Sequence, residues 1–267
     1  MLEYVLFLIR EDQMEDDMQS SMIRTQSEIG KIFIAQGTLV IASLRAFRNR
    51  FAESISPGEV DLIFSAAERE TAERFEGALK DAHEKGVLKG AQRRANNFKA
   101  TVASGKVDMA FNLVNQRADK YATKVAAAKV TAINESTRKT LNEMITRGFR
   151  EGVSHTAMER AIRNRFHEFQ AGKPQKHIKS RAHLVTVTEY RDAYEEGHHQ
   201  MAQEMMHEGF IVEKYWQTSE DDVVSDGCAE NQDYGWIKED DLFPSGNQHS
   251  PRFPGCRCNT LHRIREA

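Results

Sequence analysis

The fold of this chain is decided by residues 106–147, whose sequence is KVDMAFNLVNQRADKYATKVAAAKVTAINESTRKTLNEMITR. This stretch contains neither proline nor glycine, and its apolar residues recur at steps of three and four. One series runs from Phe111 to Ala128, and a second, shifted in phase, runs from Ile133 to Phe149. Because such steps keep side chains on one helical face, the segment predicts a helix of about 40 residues, on the order of 60 Å long. That length is typical of a coiled-coil or bundle stalk.

The composition of the 267-residue chain agrees with a helical protein. Only 5 Pro and 16 Gly argue against a large sandwich or barrel, which needs many tight turns. A net charge of -3 excludes a global attraction to nucleic acid or to anionic membranes. Three cysteines, an odd number, argue against a secreted disulfide scaffold, and the N-terminal residues lack the pattern of a cleaved signal peptide.

The chain divides into three predicted domains. Residues 1–56 form N-terminal amphipathic helices, and residues 57–208 form an extended helical domain that contains the long rod-like helix. A helix is predicted to begin at Pro57 and to end at Gly86, which follows a lysine. Residues 209–267 form a small α+β module that contains the cysteines. The predicted fold class is therefore mainly α: an elongated helical bundle with long helices, followed by a small irregular α+β C-terminal module.

The longest apolar stretch, Ile32–Leu44, spans 13 residues. A membrane span needs about 20 apolar residues, so a packed helix is the favoured interpretation. The residues expected on its buried face are Ile29, Ile32, Phe33, Gln36, Val40, Ser43, Leu44 and Phe47. Transient contact of these N-terminal helices with a membrane is the alternative interpretation.

Charge is segregated along the chain. Arg147–Arg181 contains nine Lys/Arg and three Glu, whereas Glu204–Asp241 contains twelve Asp/Glu and two Lys. A basic segment of this kind is either a solvated helix face or a surface for sequence-independent contact with DNA phosphates. The candidate DNA-facing residues are Arg160, Arg163, Arg165, Lys173, Lys176, Lys179 and Arg181.

The three cysteines are Cys228, Cys256 and Cys258. Together with one histidine, His249 or His262, they have the residue types of a Cys3His zinc site. A disulfide from Cys228 to one of the other two would hold the same loop, and free packed thiols are the third alternative. Metal or disulfide would compensate for the thin core of so small a module.

Other polar clusters admit an enzyme hypothesis. His198 and His199 are adjacent, so on a helix they point about 100° apart, and a polar helix surface is the favoured interpretation. A metal-dependent nuclease would use His249, Asn259 and His262 with the nearby acidic residues. Arg257 is expected either to pair with the acidic loop that contains Asp221 or to lie free on the surface.

The C-terminal half resembles the phage Mu F-like minor head proteins, also called phage head morphogenesis proteins. The resemblance is carried by GFREGVS at 148–154, RAHLVTVTEYRDAYEEG at 181–197, KYWQTSEDDVVSDGC at 214–228 and SPRFPGCRC at 250–258. The residues that match the family motif are Thr188, Glu189, Trp216, Asp221, Asp222, Cys228, Pro254, Cys256, Arg257 and Cys258. Two positions depart from the family pattern: Phe253 replaces a histidine, and Ser225 replaces a cysteine.

This resemblance implies a structural protein rather than an enzyme. Such proteins are minor components of the phage head, present in several copies in the capsid interior after assembly in the host cytoplasm. The implied partners are the portal protein, the capsid and scaffold proteins, and packaged double-stranded DNA bound without sequence specificity. A structural zinc ion is the one cofactor that the residues suggest.

Overall fold

The computed structural model describes residues 5–7, 11–48, 57–100, 102–171 and 180–266. Helices dominate, and a small α+β region follows them, so the predicted fold class is confirmed. The helices are α1 (Glu11–Arg48), α2 (Pro57–Phe98), α3 (Ser104–Arg150), α4 (His155–Ala171), α5 (Arg181–His207) and α6 (Asp226–Asp233). The strands are β1 (Val5–Phe7), β2 (Phe210–Gln217), β3 (Ile237–Lys238) and β4 (Asn259–Glu266).

Two predictions about the long helices have different outcomes. One uninterrupted helix, α3, covers the whole of the decisive segment 106–147. The predicted helix end at Gly86 is wrong, because α2 continues to Phe98. Gly86 is required in the helix interior by packing rather than by a turn: a Cβ at this position would lie 2.6 Å from the Cβ of Ala193 on α5.

The chain folds into two compact units that are discontinuous in sequence. Unit 1 comprises Met1–Met22, Asp81–Ala122 and Val187–Ala267, and unit 2 comprises Ile23–Lys80 and Thr123–Thr186. Helices α1, α2, α3 and α5 each contribute residues to both units. The domain boundaries predicted after residues 56 and 208 remain predictions.

The core of unit 2 contains the apolar face predicted for α1. Six of its eight residues are buried, Ser43 is half-buried, and the side chain of Phe47 lies outside the described residues. The buried polar member, Gln36, donates hydrogen bonds through Nε2 to Thr71 Oγ1 and Asn134 Oδ1, both at 3.1 Å. One amide thus links α1, α2 and α3 inside an apolar core, where an unsatisfied donor would be costly.

The most apolar helical segment is Gln19–Ala46, in α1. By length and composition alone it is able to cross a membrane, and half of its most apolar window is buried inside the protein. The buried core helix of a water-soluble protein has the same length and composition.

In unit 1, α2 and α5 approach closely because glycines line their contact. A Cβ at Gly90 would lie 2.0 Å from the carbonyl oxygen of Tyr194, and a Cβ at Gly197 would lie 2.2 Å from that of Val87. Real Cβ atoms do not come this near to backbone oxygens. These glycines therefore set the distance at which α5 presents its polar residues to the C-terminal region.

The sheet of unit 1 is antiparallel with strand order β1-β4-β2-β3. The longest pairing joins β2 to β4, from Phe210 opposite Glu266 to Gln217 opposite Asn259. Alternate β2 residues are buried, as expected for a strand with one covered face. Lys214 is one of them, and its Nζ donates to the carbonyl oxygens of Glu239 (2.7 Å) and Gln248 (2.8 Å).

Candidate functional site

The three cysteines converge in the C-terminal region. Cys228 lies on α6, and Cys256 and Cys258 lie just before β4. All three are buried, and their sulfur atoms lie within 4.8 Å of one another. Trp216 and Phe243 cover the cluster, with their ring centroids 5.1 Å apart in a T-shaped arrangement.

The thiols are free, and Cys228 Sγ lies 3.9 Å from Cys256 Sγ. A hydrogen bond from the Cys258 thiol lowers the pKa of Cys256 to about 5, and the same bond raises the pKa of Cys258. Negative charge is therefore favoured on one sulfur of the cluster. Thiolate is the form of cysteine that binds metals, so the cluster can hold a metal ion through three sulfur ligands.

The structure does not bring His249 into this cluster. Its Nδ1 lies 2.7 Å from the carbonyl oxygen of Ser250, and its Nε2 lies 3.4 Å from Glu196 Oε2. Burial disfavours the charged imidazole, but the bonds to Glu196 and Ser250 outweigh it and raise the pKa of His249 to about 9. With both ring nitrogens occupied, His249 does not supply the fourth ligand predicted for a Cys3His site.

A buried polar cluster that the sequence interpretation placed on the surface lies next to the sheet. His198 is fully buried rather than exposed on α5. Arg94 Nη2 donates to His198 Nδ1 at 3.2 Å, and the backbone N–H of Thr260 donates to Glu195 Oε1 at 3.3 Å. Burial lowers the pKa of Arg94 to about 10 and that of His198 well below its usual value, and it raises the pKa of Glu195 to about 7.

Glu239 links two further histidines. Its Oε1 lies 2.6 Å from His199 Nδ1, and its Oε2 lies 3.1 Å from His262 Nε2. Although burial alone would raise its pKa, these histidines hold the pKa of Glu239 well below its usual range. Burial lowers the pKa of His262 to about 4. The cluster therefore ties α5 to the segment after β3 and to β4.

The motif residues on α5 join the same assembly. The backbone N–H of Gly255 donates to Thr188 Oγ1 at 3.1 Å, directly beside the cysteines. Glu189 Oε2 lies 2.9 Å from His83 Nε2 on α2, and both side chains are buried. Arg257 pairs with Asp221, as one of the two interpretations of Arg257 expected. Asp222 and Pro254 are exposed.

The candidate DNA-facing residues have different environments. Arg160 and Arg163 are exposed on α4, and Arg165 is half-buried and pairs with Glu168 at 2.8 Å. Arg181 stacks over the Phe169 ring and donates to Ser136 Oγ at 2.6 Å, so its guanidinium is held inside unit 2. Lys173, Lys176 and Lys179 lie outside the described residues.

The residues of the nuclease alternative do not form a metal centre. His249 is bound by Glu196, His262 by Glu239, and Asn259 is buried at the start of β4. Within the described ranges, the three cysteines are the one group of His, Cys, Asp or Glu side chains whose ligand atoms cluster closely enough for a metal. No feature of this region favours the nuclease.

The buried thiols, ion pairs and motif residues together define a structural module, in which polar side chains hold strands, loops and helices together. Residues 139–261, from α3 to β4, match the family model described as Phage Mu protein F like protein. The resemblance noted from the motifs is therefore confirmed over this region. No curated protein and no solved structure gives a significant match to the chain.

Proposed function

We propose that this protein is a structural minor component of a phage head, carried in several copies in the capsid interior. The observation that supports the proposal is the family match over residues 139–261, combined with the internal bonding of the motif residues. Thr188, Glu189 and Arg257 bind other parts of the chain, which is how a structural motif acts. The proposal therefore assigns them a role in folding rather than in catalysis.

The proposed partners are the portal protein, the capsid and scaffold proteins, and packaged double-stranded DNA. The exposed arginines Arg160 and Arg163 on α4 support DNA contact, because phosphate neutralisation needs accessible cations. Arg181 is not part of this surface, since its guanidinium is engaged inside unit 2. Transient membrane contact by the N-terminal helices stays a prediction: Gln19–Ala46 is able to cross a membrane by length and composition alone, but half of its most apolar window is buried inside the protein.

We also propose that Cys228, Cys256 and Cys258 hold a structural zinc ion. The donor set supports it, since three buried sulfurs within 4.8 Å provide three of the four positions of a tetrahedral site. These three thiols would hold the ion, and the remaining ligand would have to come from outside the cysteine cluster. Zinc bound in this way would connect α6 to the start of β4 and stabilise the loops between them.

Mass spectrometry of purified virions and proheads tests the head assignment. We expect peptides of this protein in both particles, at a small fraction of the major capsid protein, and protected from external protease until the capsid is opened. Absence from proheads and virions alike would contradict the proposal. Recovery only on the protease-sensitive exterior would contradict the interior location.

A further inference from the structure

A cavity of about 210 Å³ lies in unit 2, between α1 and α4. Its apolar lining includes Ile41 and Phe166. The helices approach closely at Gly37, where a Cβ would lie 2.6 Å from the Phe166 ring. The cavity thus has a firm apolar base formed by packed helices.

The rim of this cavity is cationic. Arg45 and Arg163 both line it and supply the positive charge. Arg45 is paired with Glu159 at 2.6 Å, whereas Arg163 is exposed and forms no ion pair with any residue that the structure describes. The apolar base of the cavity can bind an aliphatic side chain. The exposed Arg163 can bind a carboxylate next to that side chain.

The chain itself displays such a group in unit 1. After β3 come Asp240, Asp241 and Leu242, all exposed, and Leu242 retains 58% of its accessible surface. The next residue, Phe243, is buried against Trp216 and anchors the segment. A tight turn follows, closed by the Phe243 N–H, which donates to Asn247 O at 3.0 Å. The buried Phe243 and the turn after it therefore fix the backbone next to Leu242, whose side chain is exposed to solvent.

We propose that two copies of this chain associate head to tail, with Leu242 of one copy in the α1/α4 cavity of another and Asp241 facing Arg163. The four-carbon side chain of leucine suits a cavity of this size, and the charges are complementary. Because the two surfaces differ, the contact is heterologous and extends into rings or chains. This self-association does not depend on the proposed role in the phage head.

The contact is small, so its affinity is modest and its strength depends on salt. An interface centred on one leucine and one exposed ion pair lies below the size of stable complexes. The ion pair is screened as the ionic strength rises. Self-association is therefore expected at high protein concentration and low salt.

Analytical ultracentrifugation of the full chain, purified free of nucleic acid, tests the proposal. The weight-average mass of the wild type should rise with concentration from micromolar to near-millimolar, and it should fall when salt is added. Asp241→Arg and Arg163→Glu should each weaken association by at least about tenfold. A wild type that stays monomeric throughout overturns the proposal.

Mixing the two variants gives the sharper result. Asp241→Arg keeps a native cavity and Arg163→Glu keeps a native Leu242 segment, so the mixture should associate although each variant alone does not. Arg160→Glu, on the same helix outside the cavity, and Asp233→Arg, on α6, serve as charge-matched controls and should associate as the wild type does. Failure of the mixture to associate, or equal loss in the controls, overturns the head-to-tail contact.

A separate experiment tests the apolar part of the proposed contact, the side chain of Leu242. Leu242→Ser should weaken association by about tenfold, because it removes the group that enters the cavity. Val223→Ser removes a comparably exposed aliphatic side chain elsewhere in unit 1 and should have no effect. Equal behaviour of the two variants contradicts a specific role for Leu242.

Discussion

Which atoms could bind a metal at the three cysteines depends on where the sulfur atoms lie in the fold. The spacing of the cysteines in the sequence does not determine it. A hydrogen bond from Cys258 favours the Cys256 thiolate, and the ring nitrogens of His249, the histidine predicted as fourth ligand, lie against Glu196 and Ser250. A metal ion held by this cluster would therefore take its protein ligands from sulfur alone. Such a set favours zinc and other thiophilic ions over oxygen-preferring ions such as magnesium.

The first prediction concerns this metal. Protein purified under reducing conditions should contain about one equivalent of zinc, and Cys228→Ser should retain less than half of it. Chelation should lower the melting temperature of the wild type and leave the melting temperature of the variant nearly unchanged. Elemental analysis and thermal unfolding measure both effects.

Ser225→Ala is the matched control, because Ser225 lies near Cys228 and bonds to Arg252 rather than to a sulfur. This variant should keep its zinc. A wild type with little zinc would instead favour packed thiols.

The second prediction concerns His249, whose pKa is raised to about 9. A group with a raised folded-state pKa contributes stability that is complete below its unfolded pKa, about 6.5, and is lost as the pH rises through 9. The loss should be on the order of 3 kcal/mol at most. Denaturant unfolding of wild type and His249→Gln between pH 6 and 10 measures it.

The difference in unfolding free energy between the two proteins should shrink as the pH rises across this range. Burial raises the pKa of Glu195 to about 7, and the charge of His249 partly opposes this rise, so the titration of Glu195 also differs between the two proteins. The contribution of His249 is therefore taken from the upper part of the pH range, above the titration of Glu195. A difference that is constant with pH would show that the Glu196–His249 pair does not raise the pKa of His249.

At the scale of elements, the contact between α2 and α5 depends on glycine. Gly90→Ala would place a Cβ 2.0 Å from Tyr194 O, so backbone must move, and we expect a loss of about 3 kcal/mol or more in unfolding free energy. Gly77→Ala on the same helix meets no atom within 4 Å and should stabilise the protein by about 0.5–1 kcal/mol. Chemical denaturation of both variants measures the changes in unfolding free energy, which should have opposite signs. Equal losses of stability in the two variants would contradict the prediction.

Helix α4 carries the prediction for DNA. Replacing Arg160, Arg163 and Arg165 with alanine should reduce the slope of log affinity against log salt by about 0.9 for each phosphate that is no longer neutralised. Lys120→Ala on α3 removes an exposed cation elsewhere and provides the control. Fluorescence anisotropy with duplex DNA at several salt concentrations measures the slopes, and an unchanged slope in the triple variant counts against this surface.

Helix α3 shows which features the sequence pattern predicts and which it does not. The absence of breakers predicts α3, yet Ala128, assigned to its apolar face, is exposed, and Ala126 and Val130 are buried. Buried positions follow steps of four from Ala110 to Asn134, and each such step advances about 40° around a helix with 3.6 residues per turn. The buried face therefore winds gradually around α3. The prediction from the sequence assumes a face that stays on one side of the helix, so it assigns some of these positions wrongly.

The buried polar cluster around His198 is the largest feature that the sequence did not predict. His198 and Glu195 on α5 meet Arg94 on α2 and Thr260 on β4, which are distant along the chain. Polar residues on a helix usually indicate solvent, and only the tertiary fold supplies partners for them. The one local signal is the pair of glycines, Gly86 and Gly90, at the four-residue spacing of close helix packing.

At the scale of the whole molecule, the units defined by packing are not continuous in the chain. The sheet residues Phe210, Val212 and Ile264 share one hydrophobic cluster with Phe98 on α2 and Met205 on α5. Strand β1, from the N-terminal end, pairs with β4 from the C-terminal end. Residues 209–267, predicted from composition as a module, thus contain only part of the core on which their strands rest.

We therefore predict that residues 209–267 alone do not fold, even with zinc. Without α2 and α5 the sheet would expose Phe210, Val212 and Ile264, and Glu239 and His262 would lose the buried setting that pairs them. The near-ultraviolet circular dichroism of Trp216 and Trp236, and the dispersion of amide resonances, should both be present in the full chain and absent in the fragment. A fragment with a dispersed spectrum and a cooperative unfolding transition would instead establish the boundary at residue 208 as that of an autonomous domain, because its zinc site and sheet would then suffice without the helices.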